Sequence, residues 1–335
     1  MGHVGKQTIT FNNPPVITCA YASAGPREVQ GPLGEYFDNK LQDELLGEDS
    51  WEKAESKLIT QTVQGLLSKA NKTPQDVQYL FAGDLQNQVI ASTFGLMDFN
   101  IPFFGLYGAC STMGESMCLA SMAIAGGMAD LVMAGTSSHN CAAEKQFRFP
   151  LEYAGQRTMT QQWTATASGF VLIANAGKGP KITAITPGKM VDLGIKDTFN
   201  MGAAMAPAAV DTILTHLEDT HQKPSDFDAI ITGDLGNCGL DIAVDIAGKL
   251  GTDLQGVIND CGKLIYDDKV EDTHCGGSGC GCSGSVFAGY FYSQLLKGHL
   301  KKILLVPTGA LMSPGSTQQG HTIPGIAHAV SIVME

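Results

Sequence analysis

The chain has 335 residues, 44% of them hydrophobic and 16% charged, with 40 glycines: enough apolar content for one large domain or two, joined through many tight turns. A formal net charge of −12 disfavours nucleic acid as a partner, and equally disfavours direct adsorption to an anionic membrane surface. Residues 1–18 carry no signal-peptide pattern and no apolar run is long enough to span a bilayer, so the expectation is a soluble, unexported chain whose nine cysteines are thiols rather than a disulfide framework.

In chain order, residues 16–22 read as a strand, followed by a loop punctuated by Gly25, Gly31 and Gly34. Residues 50–70 open on Ser-Trp-Glu-Lys, a plausible helix cap. Their apolar residues Ala54, Leu58, Ile59, Val63, Leu66 and Leu67 fall at helical spacing. A Thr-Pro turn, a strand at 79–82, a Gly-Asp-Leu-Gln-Asn loop and a helix at 88–97 follow. Residues 71–87, NKTPQDVQYLFAGDLQN, match residues 221–237, HQKPSDFDAIITGDLGN, at a constant offset of 150, pairing Pro74 with Pro224, Asp84 with Asp234 and Asn87 with Asn237. The chain therefore divides into two related halves, 1–177 and 178–335. Each continues through a Gly/Cys-rich turn, a helix ending in glycine and an apolar strand: in the first half a turn at 107–111, a helix to 127 and a strand at 131–135, in the second a turn at 275–285, a helix to 298 and a strand at 303–307. Strands alternating with helices predict parallel or mixed sheets covered by helices.

The segment 102–140 organises the rest. An apolar run turns at Gly-Ala-Cys-Ser-Thr-Met-Gly into a small-residue helix, which sets Cys110 at a strand-to-helix corner. Free N–H groups of a first helical turn favour a thiolate or a bound anion, so the corner suits a nucleophile or an anionic ligand. A buried cysteine is also a common packing residue, but the corner glycine and the Ser111-Thr112 pair allow close backbone approach and supply caps.

A duplicated α/β chain with a cysteine at such a corner resembles the thiolase superfamily, especially ketoacyl synthase III-like condensing enzymes. YGACSTMGESMCLASMAIAGGMADLVMAGT is similar to their nucleophile segment, with Cys110 at the acylated cysteine. ATASGFVLIANAG is similar to the strand closing their first half, and GHLKKILLVPTGALMSP to their C-terminal strand and glycine loop. The resemblance implies a thiolase-like, five-layered αβαβα fold and a homodimer, and the small-residue strand at 132–136 is expected to meet its copy across the axis. Where those enzymes carry a catalytic histidine in a His-Gln-Ala-Asn-like stretch, this chain has Asp234-Leu235-Gly236-Asn237. A carboxylate would repel a developing oxyanion, which argues against condensation chemistry. The N-terminal FNNPPVITCAYASAGPREVQGPLGEYFD, the paired Gly-Asp-Leu loops and HCGGSGCGCSG resemble the stage V sporulation protein AD family of spore-forming bacteria. That resemblance implies a non-catalytic binder of dipicolinic acid or its calcium chelate, serving uptake into the developing spore. It further implies a peripheral position at the inner spore membrane, held through membrane proteins of the same operon.

Dipicolinate is a flat ring between two carboxylates, so its site needs cations or N–H donors at two ends of an apolar slot. Of three arginines, Arg148 and Arg157 fall in residues 141–162, a region near the substrate entrance in condensing enzymes; ion pairing at the surface or between subunits is the competing role. Cys110, Ser111, His139, Asn237, Gly277 and Ser278 complete the expected ligand set, with the stretch His274 to Cys282 as a backbone wall facing Cys110. That stretch lacks paired Cys-x2-Cys knuckles, so neither a metal nor any other cofactor is expected, and calcium enters only as the chelate of the ligand. Asp84 and Asp234 are expected to cap the helices that follow them. The alternative reading is an acyl-transferring or condensing enzyme using Cys110; a third is a purely structural partner of a membrane complex.

Overall fold

The computed structural model describes residues 2–147, 157–267 and 272–335. Ten strands carry the architecture among the described residues: β1 Val16–Ala24, β2 Tyr79–Gly83, β3 Phe103–Gly105, β4 Leu131–Ser138 and β5 Ala167–Ala174 in the first half, and β6 Lys181–Thr186, β7 Ala229–Thr232, β8 Ile258–Asp260, β9 Lys302–Val306 and β10 Ala329–Val333 in the second. The first five lie in the order β1-β5-β4-β2-β3, the second five in the order β6-β10-β9-β7-β8. Each strand thus has its counterpart five places on. In both halves the first two junctions are antiparallel and the last two parallel, and the halves touch where Val16 of β1 pairs with Lys181 of β6.

Helices α1 Trp51–Lys69 and α2 Ile90–Leu96 cover the outside of the first sheet, and α5 Met201–Thr220 and α6 Gly236–Lys249 that of the second. Helix α3 Thr112–Ala125 lies between the sheets and touches both, beside α7 Cys280–Val286. The layers run helix, sheet, helix, sheet, helix, the thiolase-like arrangement. Side-chain alternation explains it. In β9, Ile303 and Leu305 enter the central core while Leu304 and Val306 enter the outer one; in β5, Val171 and Ile173 face the centre while Phe170 and Leu172 face α1. Ser50 caps α1 by accepting from the Lys53 N–H at 3.3 Å.

The duplication reaches single hydrogen bonds. Asp76 accepts from the Thr73 N–H at 2.7 Å and its counterpart Asp226 from the Lys223 N–H at 2.8 Å, each closing the turn before a central strand.

Two expectations change. Residues 280–285 form α7 rather than part of a turn: a Cβ at Gly281 would lie 2.2 Å from the Ala167 carbonyl oxygen, so its glycines admit backbone against backbone, and packing overrides their low helix propensity. The strand at 132–136 has no free edge to offer a copy. It lies inside β4, paired to β5 on one side and β2 on the other, with residues 132–136 buried. The edge of the first sheet is β3, where Phe104 is half exposed and stacks on Phe81.

Candidate functional site

Cys110 sits in a single tight turn, Ala109–Ser111, that leads into α3. Ala109 takes a left-handed backbone with φ of +49°, a conformation most side chains avoid, and this bends the chain sharply enough to turn Cys110 inward. From the other half, the loop after β9 presses on the same turn: a Cβ at Gly309 would come within 2.2 Å of the Gly108 carbonyl oxygen, so only glycine permits the approach.

The approach carries Thr308 and Asp234 to the cysteine. Asp234 is fully buried; its Oδ1 accepts from the Thr308 hydroxyl at 2.7 Å and its Oδ2 from the Gly279 N–H at 3.3 Å, and the Cys110 side chain lies near enough for the two groups to shift each other's ionisation. Burial pushes the Asp234 pKa up to about 7, against the pull of the neighbouring Cys110 and Thr308 side chains. Burial first, and then the Asp234 charge, raise the Cys110 thiol well above its usual range. Both oppose the positive end of α3, which would favour a thiolate.

Above Cys110 opens a narrow pocket. Tyr107, Phe147 and Met312 supply broad apolar surface, Thr164 and Ser278 supply hydroxyls, and Glu144 of helix α4 (Asn140–Phe147) is the charged side chain among the described lining residues. Trp163–Thr164 pairs with Gly277–Ser278 as two short parallel strands, so the wall is stitched from both halves.

Of the sequence-selected residues, the structure brings Cys110 and Ser278 together in the pocket lining. Gly277 lies one step back, its carbonyl accepting from Gln162 Nε2 at 3.3 Å. Ser111 is turned away, its hydroxyl bonded to the Gly108 carbonyl at 2.7 Å. His139 is buried outside the lining, with Nε2 2.8 Å from the Glu44 carbonyl oxygen, and burial lowers its pKa. Arg157 donates to the Asp272 carbonyl at 2.7 Å and lies over the Trp163 ring, also away from the lining. Asn237 donates its backbone N–H to the Cys275 carbonyl at 2.9 Å. Arg148 lies outside the described residues.

Sequence reasoning did not single out Thr308, Tyr107, Phe147 or Met312. Thr308 had a signal, as a hydroxyl in the Pro-Thr-Gly corner that follows a core strand. The others are apolar residues on separate segments, with no spacing to join them.

The family model for stage V sporulation protein AD matches residues 5–333. The chain belongs to that family. It is 44% identical over 326 residues to the stage V sporulation protein AD of Bacillus subtilis (strain 168), covering 97% of this chain and 96% of that protein. Among solved structures it resembles the 3-oxoacyl-[acyl-carrier-protein] synthase III of Aquifex aeolicus VF5, with a TM-score of 0.58 at 13% identity over 95% of this chain and 99% of that one, a likeness of fold. The family is a sporulation family, and its scaffold here is thiolase-like.

Proposed function

We propose that this sporulation protein binds dipicolinic acid, or its calcium chelate, without catalysing a reaction, and supports uptake of that ligand into the developing spore. The observation that carries the reading is Asp234: a buried carboxyl group bonded to Thr308 and set beside Cys110, at the position where condensing enzymes place a histidine. An ionised carboxylate there would oppose an oxyanion on an acylated cysteine, while the protonated acid can donate to a ligand carboxylate. The slot between Tyr107, Phe147 and Met312 suits a flat ring, and Ser278 and Thr164 offer hydroxyls to its polar edge. Arg148, one residue beyond the pocket residue Phe147, is the cation proposed for the second carboxylate; Arg157 is held on backbone carbonyls. Calcium takes part only as the ligand's chelate.

In this reading the protein works as a homodimer at the inner spore membrane, peripheral and held through membrane proteins of its operon. Among the described residues no helix is long and apolar enough to cross a membrane.

The test is calorimetric titration with dipicolinate, with and without calcium, on the parent, Cys110→Ser and Cys110→Asp. Saturable binding by the parent and by the Ser variant, and none by the Asp variant, is expected. Absence of binding by the parent, or normal binding by the Asp variant, overturns the assignment.

A second reading, an acyltransferase using Cys110, is favoured by one observation: the strained turn at Ala109 that presents the thiol at the start of α3. It requires a stoichiometric thioester on Cys110 after incubation with acyl-coenzyme A, visible as added intact mass and missing in the Ser variant. The binding reading expects no such adduct.

A further inference from the structure

Cys238 and Cys275 lie outside the pocket, and the proposed function uses neither. Cys238 stands in the first turn of α6 and is partly exposed; Cys275 is buried in the turn leading to the glycine wall. The two are pressed together by backbone. The Asn237 N–H donates to the Cys275 carbonyl at 2.9 Å, and the Cys238 N–H to Cys275 Sγ at 3.0 Å. Gly236 makes the contact possible, since with φ of +62° its Cβ would lie 2.1 Å from the Cys275 carbonyl oxygen. The Cys275 sulfur thus rests against the backbone of Cys238 itself. Cys141, the other partly exposed thiol among the described residues, faces the Glu44 carboxylate at 3.8 Å instead of a second sulfur.

We propose that Cys238 and Cys275 are a reversible oxidation site, closed to a disulfide by a low-molecular-weight disulfide such as oxidised glutathione. The more accessible Cys238, as its thiolate, attacks one sulfur of the small disulfide, forming a mixed disulfide and expelling one small thiolate. Cys275 then gives up its proton, its sulfur attacks that of Cys238, and the second small thiolate leaves. Two protein thiols are oxidised, one small disulfide is reduced to two thiols, and the protons lost by the cysteines end on the departing sulfurs. Burial, and then the neighbouring Cys238 side chain, push the Cys275 pKa up to about 12, so closure accelerates with pH. The bond would clamp to α6 the loop that carries Ser278 on the pocket wall and the Gly279 N–H on Asp234. This inference is independent of the ligand proposed above.

The experiment incubates the purified full chain with oxidised glutathione and reads intact mass and disulfide-linked peptides. The parent should lose two hydrogens, yield a Cys238–Cys275 linked peptide, and regain its mass with dithiothreitol. Cys275→Ser should instead hold a stable glutathione adduct on Cys238, which traps the first step, and Cys238→Ser should stay unmodified at Cys275. Amide exchange at residues 276–279 should slow in the oxidised parent. A stable Cys238 adduct on the parent, or a Cys275 still open to alkylation after oxidation, overturns the proposal.

Discussion

Asp84 and Asp234 occupy equivalent places in the two halves, each following a glycine at the C-terminal end of a parallel strand, yet they serve different ends. Asp84 accepts from the Gln86 N–H at 2.9 Å and the Ser92 N–H at 2.7 Å, so it caps the α2 region as expected of it. Asp234 accepts no N–H from α6. That work falls to Asp260 at the end of β8, which takes the N–H groups of Leu235 at 2.8 Å and Gly236 at 2.9 Å together with the Thr232 hydroxyl at 2.7 Å. With its capping duty taken by a neighbour, Asp234 turns to Cys110. A duplicated motif keeps its backbone and changes its chemistry when another residue assumes the structural task.

The contrast can be broken most severely at Asp84. Asp84→Ala leaves two buried N–H groups without acceptors and should cost about 2 to 3 kcal/mol of unfolding free energy, measured by denaturant titration. Loss of less than about 0.5 kcal/mol would mean that water or a shifted side chain replaces the cap.

The halves also differ at their outer edges. Strand β3 presents Phe104 at 50% exposure with Phe94 at 60% and Met97 at 61% nearby in sequence, whereas β8 ends in the buried Asp260. An aromatic edge with open hydrogen-bonding groups is the surface proposed for the homodimer. Phe104→Glu should therefore weaken association by about 2 kcal/mol or more, shifting the mass seen by light scattering toward one chain. A parent mass near 35.3 kDa at micromolar concentration would refute the dimer itself.

The smallest effect is expected at Asp234. With its pKa raised to about 7, the residue is neutral at lower pH and repels a dianion once ionised. Dipicolinate affinity should fall as pH rises from about 6 to about 8, by no more than about tenfold per pH unit for one linked proton. Asp234→Asn should flatten that profile with little change at the acidic end. An unchanged pH profile in the Asn variant would remove Asp234 from the site.

Much of this is legible in the sequence. Apolar periodicity located the strands and α1, the repeat at constant offset disclosed the two halves, and the corner around Cys110, with Asp234 in the histidine position, directed attention to the candidate site. Illegible features share a physical origin in distance along the chain. Asp260 reaches Leu235 and Gly236 through the pairing of β7 with β8, and Thr308 reaches Asp234 through the close packing at Gly309; neither relation leaves a pattern in local sequence. The glycines of α7 read locally as a turn because their partner, the β5 backbone, lies more than a hundred residues earlier. Arg157 was a sound choice by charge alone, but Trp163 and two backbone carbonyls claim its guanidinium.

Strand β10 pairs with β6 on one side and β9 on the other, so it occupies an interior place in its sheet while following every other strand of that sheet along the chain. During synthesis it leaves the ribosome after β6 to β9 have emerged, and until then β6 and β9 have no strand between them. The second sheet therefore closes by insertion rather than by addition at an edge, and α3, which packs against β10, gains its full second face at that moment. The wall at Trp163–Thr164 and Gly277–Ser278 likewise awaits both halves. A nascent chain halted short of β10 would carry the Cys110 turn and most of the pocket's residues without the finished layer that holds them in place, so the pocket is completed late and all at once.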